Sequence, residues 1–376
     1  MAEVLLQSKA DPVKTILWSH EISRISDYGF VEYAVHKIHE HSWSIQAWSG
    51  LADEMIGRLN TEPGKYRNSW WLSRIVEALD KAKRQREATD LLRHEAPHVN
   101  EFRMLVDRLI AFGLLDEAEK IALERRQAEA ANQNERRGYY HDSWPDRLKK
   151  IAELREDWPT LASIQAAEFF EQPWSSKLKL LLLTVKRIEG MEPAVRKSVQ
   201  EFLKSGEYPA AVTKSLKAEK LTPSDRKRWP IPFFCFQRET KSPEPLFDVL
   251  CEWAIDESRP DDVVKWFDEY QNAKTFQQRG INQEKVADAI VESYPDRAFR
   301  IYRDLAEHEM EVTRQYATAV KILRKARNAL EQTGHSNDWP RVMDEIRTTH
   351  RRKTNLMKEL NNLETPSIVQ QKRKGR

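Results

Sequence analysis

The pentapeptide HEAPH, His94 to His98, satisfies H-E-x-x-H. On an unbroken helix that spacing puts two imidazoles on one face to hold zinc, with the glutamate as general base. Pro97 lies inside the motif, where it lacks a backbone donor and disfavours α geometry at Ala96. The stretch is therefore expected to end a helix running from Trp70 to about Glu95. HKIHEH gathers His36, His39 and His41, but His41 falls off the helical face that His36 and His39 share. A tetrahedral site there would need a ligand from elsewhere. The chain has two cysteines, Cys235 and Cys251, too few for a four-cysteine zinc site or a disulfide scaffold. No G-x-x-x-x-G-K-[ST], G-x-G-x-x-G or G-x-S-x-G occurs, and no carboxylate pair is marked out as an acid/base dyad. The expectation is a chain with no catalytic residue, bound metal or cofactor.

A second chemistry is electrostatic. Residues 346–360 read IRTTHRRKTNLMKEL, with His350, Arg351, Arg352 and Lys353 in succession. Residues 347–376 hold nine Lys/Arg against two Glu, a net charge of +7. The whole chain carries +3, so residues 1–346 carry −4. The basic C-terminal end, with Arg347, Arg351, Arg352, Lys353 and the tail residues Lys372, Arg373 and Lys374, supplies candidate contacts to nucleic acid or an acidic protein. The apolar positions Val342, Ile346, Leu356, Met357, Leu360 and Leu363 fit one helix from Pro340 to about Leu363. In it the basic residues interrupt the stripe for one turn and keep their heads wet.

Helices must position all of these groups. In LVDRLIAFGLLDEAEKIALER, Leu105, Leu109 and Ile110 make one apolar stripe, and Ala118, Ile121 and Ala122 make another. Gly113 stops the first helix, and Asp116 and Glu117 favour the start of the second. The unit recurs loosely at KRQREATDLL, LLDEAEKIAL, DWPTLASIQA, EYPAAVTKSL, RPDDVVKWFD, YPDRAFRIYR and DWPRVMDEIR. Aligning Ala88, Ala118, Leu161, Ala211, Val263, Ala298 and Val342 gives intervals of 30, 43, 50, 52, 35 and 44 residues. Such spacing predicts an all-α, irregular α-solenoid of helical hairpins, tetratricopeptide- or HEAT-like. Pro159, Pro209, Pro295 and Pro340 fit the first helical position, where a missing N–H is no loss. The twelve tryptophans mostly alternate with Leu, Ile and Ala at helical spacing, as core residues do.

Residues 221–245, LTPSDRKRWPIPFFCFQRETKSPEP, break the pattern with five prolines. They are expected to form a linker whose Trp229, Phe233, Phe234 and Phe236 pack on the helices. The resulting division is an N-terminal array over 1–220, the linker, a C-terminal array over 246–365 and a basic tail over 366–376.

Bulk properties agree. Charged residues make up 32% of the chain with near-balanced sign, which suits amphipathic helices with charge-laced outer faces. Eleven glycines in 376 residues are few for parallel-sheet nucleotide folds or all-β folds. No run of 18 apolar residues exists, and MAEVLLQSKADP lacks a signal-peptide pattern. With so few cysteines, the expected setting is the cytoplasm, without membrane association.

The runs PLFDVLCEWAIDESRPDDVVKWFDEY, VADAIVESYPDRAFRIYRDLAEHEME and YATAVKILRKARNALEQTGHSNDWPRVMDEIRTTHRRKTNLMKELNNL resemble the C-terminal helical region of bacterial SWIM zinc-finger family proteins. WSGLADEMIGRL, WWLSRIVEALDKAKRQREATDLLRHEAP and FRMLVDRLIAFGLLDEAEKIALER are similar to earlier parts of that region. The family's C-x-C…C-x-H finger is absent, so the resemblance implies a scaffold without the finger. It points to a non-enzymatic scaffold that binds a protein partner, such as a zinc-finger protein or an associated ATPase. The alternative is an accessory nucleic-acid-binding protein using the basic C-terminal end.

Overall fold

The computed structural model describes residues 10–25, 36–38, 41–131, 144–208, 245–273 and 280–364. Those residues fold entirely as helices and connections, with no strand among them. Helical contacts divide the chain into two compact units, Met1–Asp157 and Trp158–Arg376. Residues 221–244 of the expected linker lie outside the described residues, as do His39, Cys235, the repeat unit at Pro209 and the tail residues Lys372, Arg373 and Lys374.

The first unit contains α1 (Pro12–Ile25), α2 (Ile45–Thr61), the single turn α3 (Pro63–Tyr66), α4 (Ser69–Lys81), α5 (Gln85–Val99), α6 (Phe102–Ala111), α7 (Leu115–Ala131) and α8 (Trp144–Leu154). Each of the longer helices packs on its neighbours in sequence. The second contains α9 (Trp158–Glu171), α10 (Ser175–Val185), α11 (Glu192–Ser205), α12 (Phe247–Asp256), α13 (Pro260–Asn272), α14 (Gln283–Ile290), α15 (Pro295–His308), α16 (Tyr316–Gln332), α17 (Trp339–Thr349) and α18 (Thr354–Glu364). Here sequential neighbours from α9 to α16 pack together, α15 on α16 most extensively, and α18 closes on α16. This is an all-α helical-repeat fold. Helices α11 and α12, on either side of 209–244, also touch.

The repeat markers explain the packing. Ala88, Ala118, Leu161, Val263, Ala298 and Val342 each fall at the fourth residue of a helix, and every one is buried. Alanine there lets two helix backbones approach closely, while Leu and Val fill wider gaps. Leu92, Leu109, Phe267 and Leu323 are inaccessible or nearly so, each stabilising the fold by roughly 1.5–3 kcal/mol relative to exposure. Trp71, Trp253, Trp266 and Trp339 are buried as expected. Side-chain caps open α2, α4 and α14: Ser44, Asn68 and Asn282 accept from the N–H of Ala47, Trp71 and Lys285.

The abundant charge is used between helices. Arg108 donates to both Asp80 oxygens at 2.5 and 2.8 Å and to Thr89 Oγ1 at 2.9 Å. Arg147 reaches Asp107 at 2.6 Å, and Arg84 reaches Asp53 at 2.6 Å. In the second unit Arg196 bridges Glu192 and Glu257.

Two helix predictions need correction. The segment 70–95 is not one helix: α4 ends at Lys81, a turn follows, and α5 runs on through Pro97 to Val99. Proline lies so near the C-terminal end that only the Arg93 carbonyl loses its intrahelical donor. Asn100 then caps α5 in the left-handed region, its N–H donating to Ala96 O. Likewise 340–363 is two helices, α17 and α18, separated at residues 350–353.

Candidate functional site

The break between α17 and α18 is where the basic run sits, and it is built from the inside out. His350 N donates to Ile346 O at 3.0 Å, closing α17, and Lys353 N donates to His350 O at 2.8 Å. The His350 side chain points inward and is 2% exposed. Its Nε2 lies 3.0 and 3.1 Å from the two carboxylate oxygens of Glu307, near the end of α15. Its Nδ1 lies 3.0 Å from Glu311 Oε1, yet that nitrogen makes no hydrogen bond of acceptable geometry.

Glu311 belongs to a π-helical segment, Glu309–Thr313, that extends α15 and ends at Arg314 in the left-handed region, φ 57°. Widened turns of this kind recur at functional sites. Here one carries Glu311 beside the imidazole. Lys353 Nζ donates to Glu311 Oε1 at 2.9 Å and to Met310 O at 3.0 Å. That hydrogen bond holds the Glu311 carboxyl below the usual carboxylate range, aided by the fields of Lys353, His350 and Arg314. Beside Glu311 an open, mainly polar cleft of about 360 Å³ is lined by Arg314, Tyr316, Arg352, Lys353, Thr354 and Asn355.

The predicted basic residues therefore separate. Arg351 and Arg352 are exposed at the turn. Lys353 is committed to Glu311, and Arg347 donates to Asn361 Oδ1 at 3.3 Å, tying α17 to α18. Sequence reasoning missed Glu307 and Glu311 because they lie some forty residues upstream. A signal for His350 did exist: Val342, Ile346 and His350 are spaced four apart, which places the imidazole on the apolar face.

HEAPH is a different case. Continuation of α5 through Pro97 does stack His94 on His98, with ring centroids 5.7 Å apart. The helix does not end before His98 as expected, so the two imidazoles do share a face. The Glu95 carboxylate between them in sequence is buried and accepts from Arg67 at 2.9 Å, with His94 Nδ1 at 2.8 Å. Among the described residues, the one cluster of metal-ligand type that comes together is Glu307, Glu311 and His350. Cys251 is buried beside Val263, and burial foremost, then Asp248 and Glu252, pushes its thiol up to about 12. It stays a protonated thiol and an inert core residue.

A further surface lies on α10. Leu180 and Leu183 are 54% and 52% exposed, on the face opposite buried Leu178, Leu181, Leu182 and Val185. The stretch 174–187, WSSKLKLLLLTVKR, contains four basic residues and no acidic one. Lys179 reaches Asp256 at 3.6 Å, and Arg187 lies over the Trp158 ring at 4.2 Å. No helix of the described residues is long and apolar enough to cross a membrane. No family model, curated protein or solved structure matches this chain.

Proposed function

We propose that this chain is a non-enzymatic helical-repeat scaffold that binds a protein partner. The observation that carries the reading is the outer face of α10, where two leucines at helical spacing stand in solvent among basic residues. Scattered surface leucines mean little, but paired ones on one face, ringed by charge, suit a helix-in-groove or helix-on-helix contact. The complementary partner is an acidic amphipathic segment. A zinc-finger protein or an associated ATPase is the kind of partner the family resemblance implies. The test is co-purification from the native host of the wild-type chain and of Leu180→Glu/Leu183→Glu, with circular dichroism on both. A stoichiometric partner lost from a still-folded variant supports the reading. Unchanged recovery by the variant, or no partner with either, defeats it.

One observation favours a second reading, accessory binding of nucleic acid. Arg351 and Arg352 are exposed, and Arg352 shares its cleft with Arg314 and Lys353. Backbone phosphate suits such a cluster, and its signature would be affinity falling steeply with salt. Diversion of Lys353 to Glu311 and Arg347 to Asn361 places this reading second.

A further inference from the structure

We propose that Glu307, Glu311 and His350 form a binding site for a divalent first-row transition metal ion. Each residue can offer one ligand atom such that all three lie within 4.8 Å of one another. Zinc bonds to imidazole nitrogen and carboxylate oxygen at about 2.0–2.2 Å. Both glutamate side chains are about half exposed, so small rotamer changes close them around an ion.

The imidazole is the argument that goes beyond two acidic residues one helical turn apart. His350 is 2% exposed, and its Nδ1 has Glu311 Oε1 at 3.0 Å but no hydrogen bond to it. A buried nitrogen without a hydrogen bond is costly and uncommon. Nε2 has the Glu307 carboxylate beside it at 3.0–3.1 Å, so each ring nitrogen already faces one of the other two donors, and a small shift of the ring or of one carboxylate gathers all three on one ion. The donor set, one imidazole and two carboxylates with no thiolate beside them, favours Zn²⁺, Mn²⁺, Fe²⁺, Co²⁺ or Ni²⁺ over calcium and magnesium, which prefer all-oxygen shells. The open cleft at Glu311 leaves room for water to complete the coordination.

Lys353 competes for the site. Its ammonium already neutralises Glu311 Oε1 at 2.9 Å. A metal ion would repel or displace it. Removing that charge should therefore strengthen metal binding, which an ion pair of purely structural role would not do. Bound metal would tie the end of α15 to the α17–α18 turn and so fasten the last helix pair. This inference revises the expectation that no metal is bound, and it does not depend on which partner the scaffold holds.

The experiment uses the full-length chain stripped with a chelator. Zn²⁺ is titrated by calorimetry near neutral pH, and Co²⁺ by visible absorption. The expected result is one equivalent bound by the wild type and by His94→Ala/His98→Ala. Affinity should be at least about tenfold weaker in Glu307→Gln/Glu311→Gln and several-fold tighter in Lys353→Gln. Circular dichroism and a thermal melt of the paired Gln variant, which changes half-exposed positions, separate loss of binding from loss of fold. His350→Ala, at a buried position, is read only if its circular dichroism matches wild type. No binding by the wild type, equal binding by the Gln variant, or unchanged affinity in Lys353→Gln would overturn the site.

Discussion

Among the described residues, two kinds of turn between helices solve the same problem by different means. At 82–84, 112–114, 155–157 and 257–259 the connection is three residues long, with Lys83, Gly113, Glu156 or Ser258 in the left-handed region at its centre. In each, the third residue's N–H reaches back to a carbonyl five residues earlier: Arg84 to Leu79, Leu114 to Leu109, Asp157 to Ala152 and Arg259 to Ala254, at 2.8–2.9 Å. The central N–H bonds a carbonyl three residues back. This is the Schellman arrangement, in which backbone alone satisfies the helix end. The turn at 350–353 has no left-handed residue. It buries a side chain instead, and His350 fastens the turn to Glu307 of another helix. A backbone-closed turn tolerates many side chains, whereas a side-chain-closed turn depends on a few.

The largest effect expected from breaking the second kind of closure lies just beyond it. Leu356 and Leu360 are inaccessible and share a core with Val320, Leu323 and Ile346. Truncating either to alanine should cost about 2–5 kcal/mol, measured by urea unfolding. α18 packs on α16 and is the last described helix of the array, so few other contacts can compensate. A loss below about 1 kcal/mol would mean that α18 is not part of the cooperative core.

At the backbone-closed turns, glycine is the sensitive position. Gly113 has φ 73° and open space around its missing Cβ. Gly113→Ala should therefore destabilise through backbone strain alone, by about 1–2 kcal/mol. The converse sharpens the comparison. Ser258→Gly, at φ 52°, relieves strain and should stabilise by a smaller amount, since glycine also gains freedom in the unfolded chain. Thermal melts of both read the two signs. If neither moves, left-handed geometry is not what closes these turns.

These turns also show what the sequence could reveal. Ala118 and Ala298 announced close helix contacts, and Gly113 announced a helix stop. Lys83 occupies the same conformation without glycine, so the segment from Trp70 read as one continuous helix until Glu95; Glu156 and Ser258 do the same at two other turns. At 350–353 no proline or glycine marks the break, and charged residues resemble a solvated helical face. The candidate site was legible only in its imidazole and basic run. Its two glutamates are brought there by the packing of α15 and its π extension, which no local pattern encodes.

The Lys353–Glu311 pair tests the side-chain closure by pH. Lys353 depresses the Glu311 carboxyl in the folded state. A depressed acid contributes stability that is present above its unfolded pKa and lost as pH falls through the folded value. Wild type should thus melt slightly above Lys353→Gln near neutrality, and the two should converge below the usual carboxylate range. Because the pair faces solvent, the gap should be small and shrink with salt. A gap that persists undiminished at acid pH would assign Lys353's contribution to its bond with Met310 O instead.

The smallest effect is expected at the two arginines of the 350–353 turn. Arg351 and Arg352 are exposed within the turn, and no ion pair involves either among the described residues. Replacing each with alanine should change stability by no more than about 0.5 kcal/mol. If closure rests on His350, the arginines are free to act outward, and this is where the two functional readings part. The scaffold reading expects the double variant to bind single- and double-stranded nucleic acid no differently from wild type. The nucleic-acid reading expects wild type to bind at physiological salt and the double variant to lose affinity with a shallower salt dependence. Folding is unaffected in either case, so salt-titrated binding on one pair of proteins decides between them. Micromolar binding that disappears in the double variant would move the function of this chain from the leucines of α10 to its C-terminal turn.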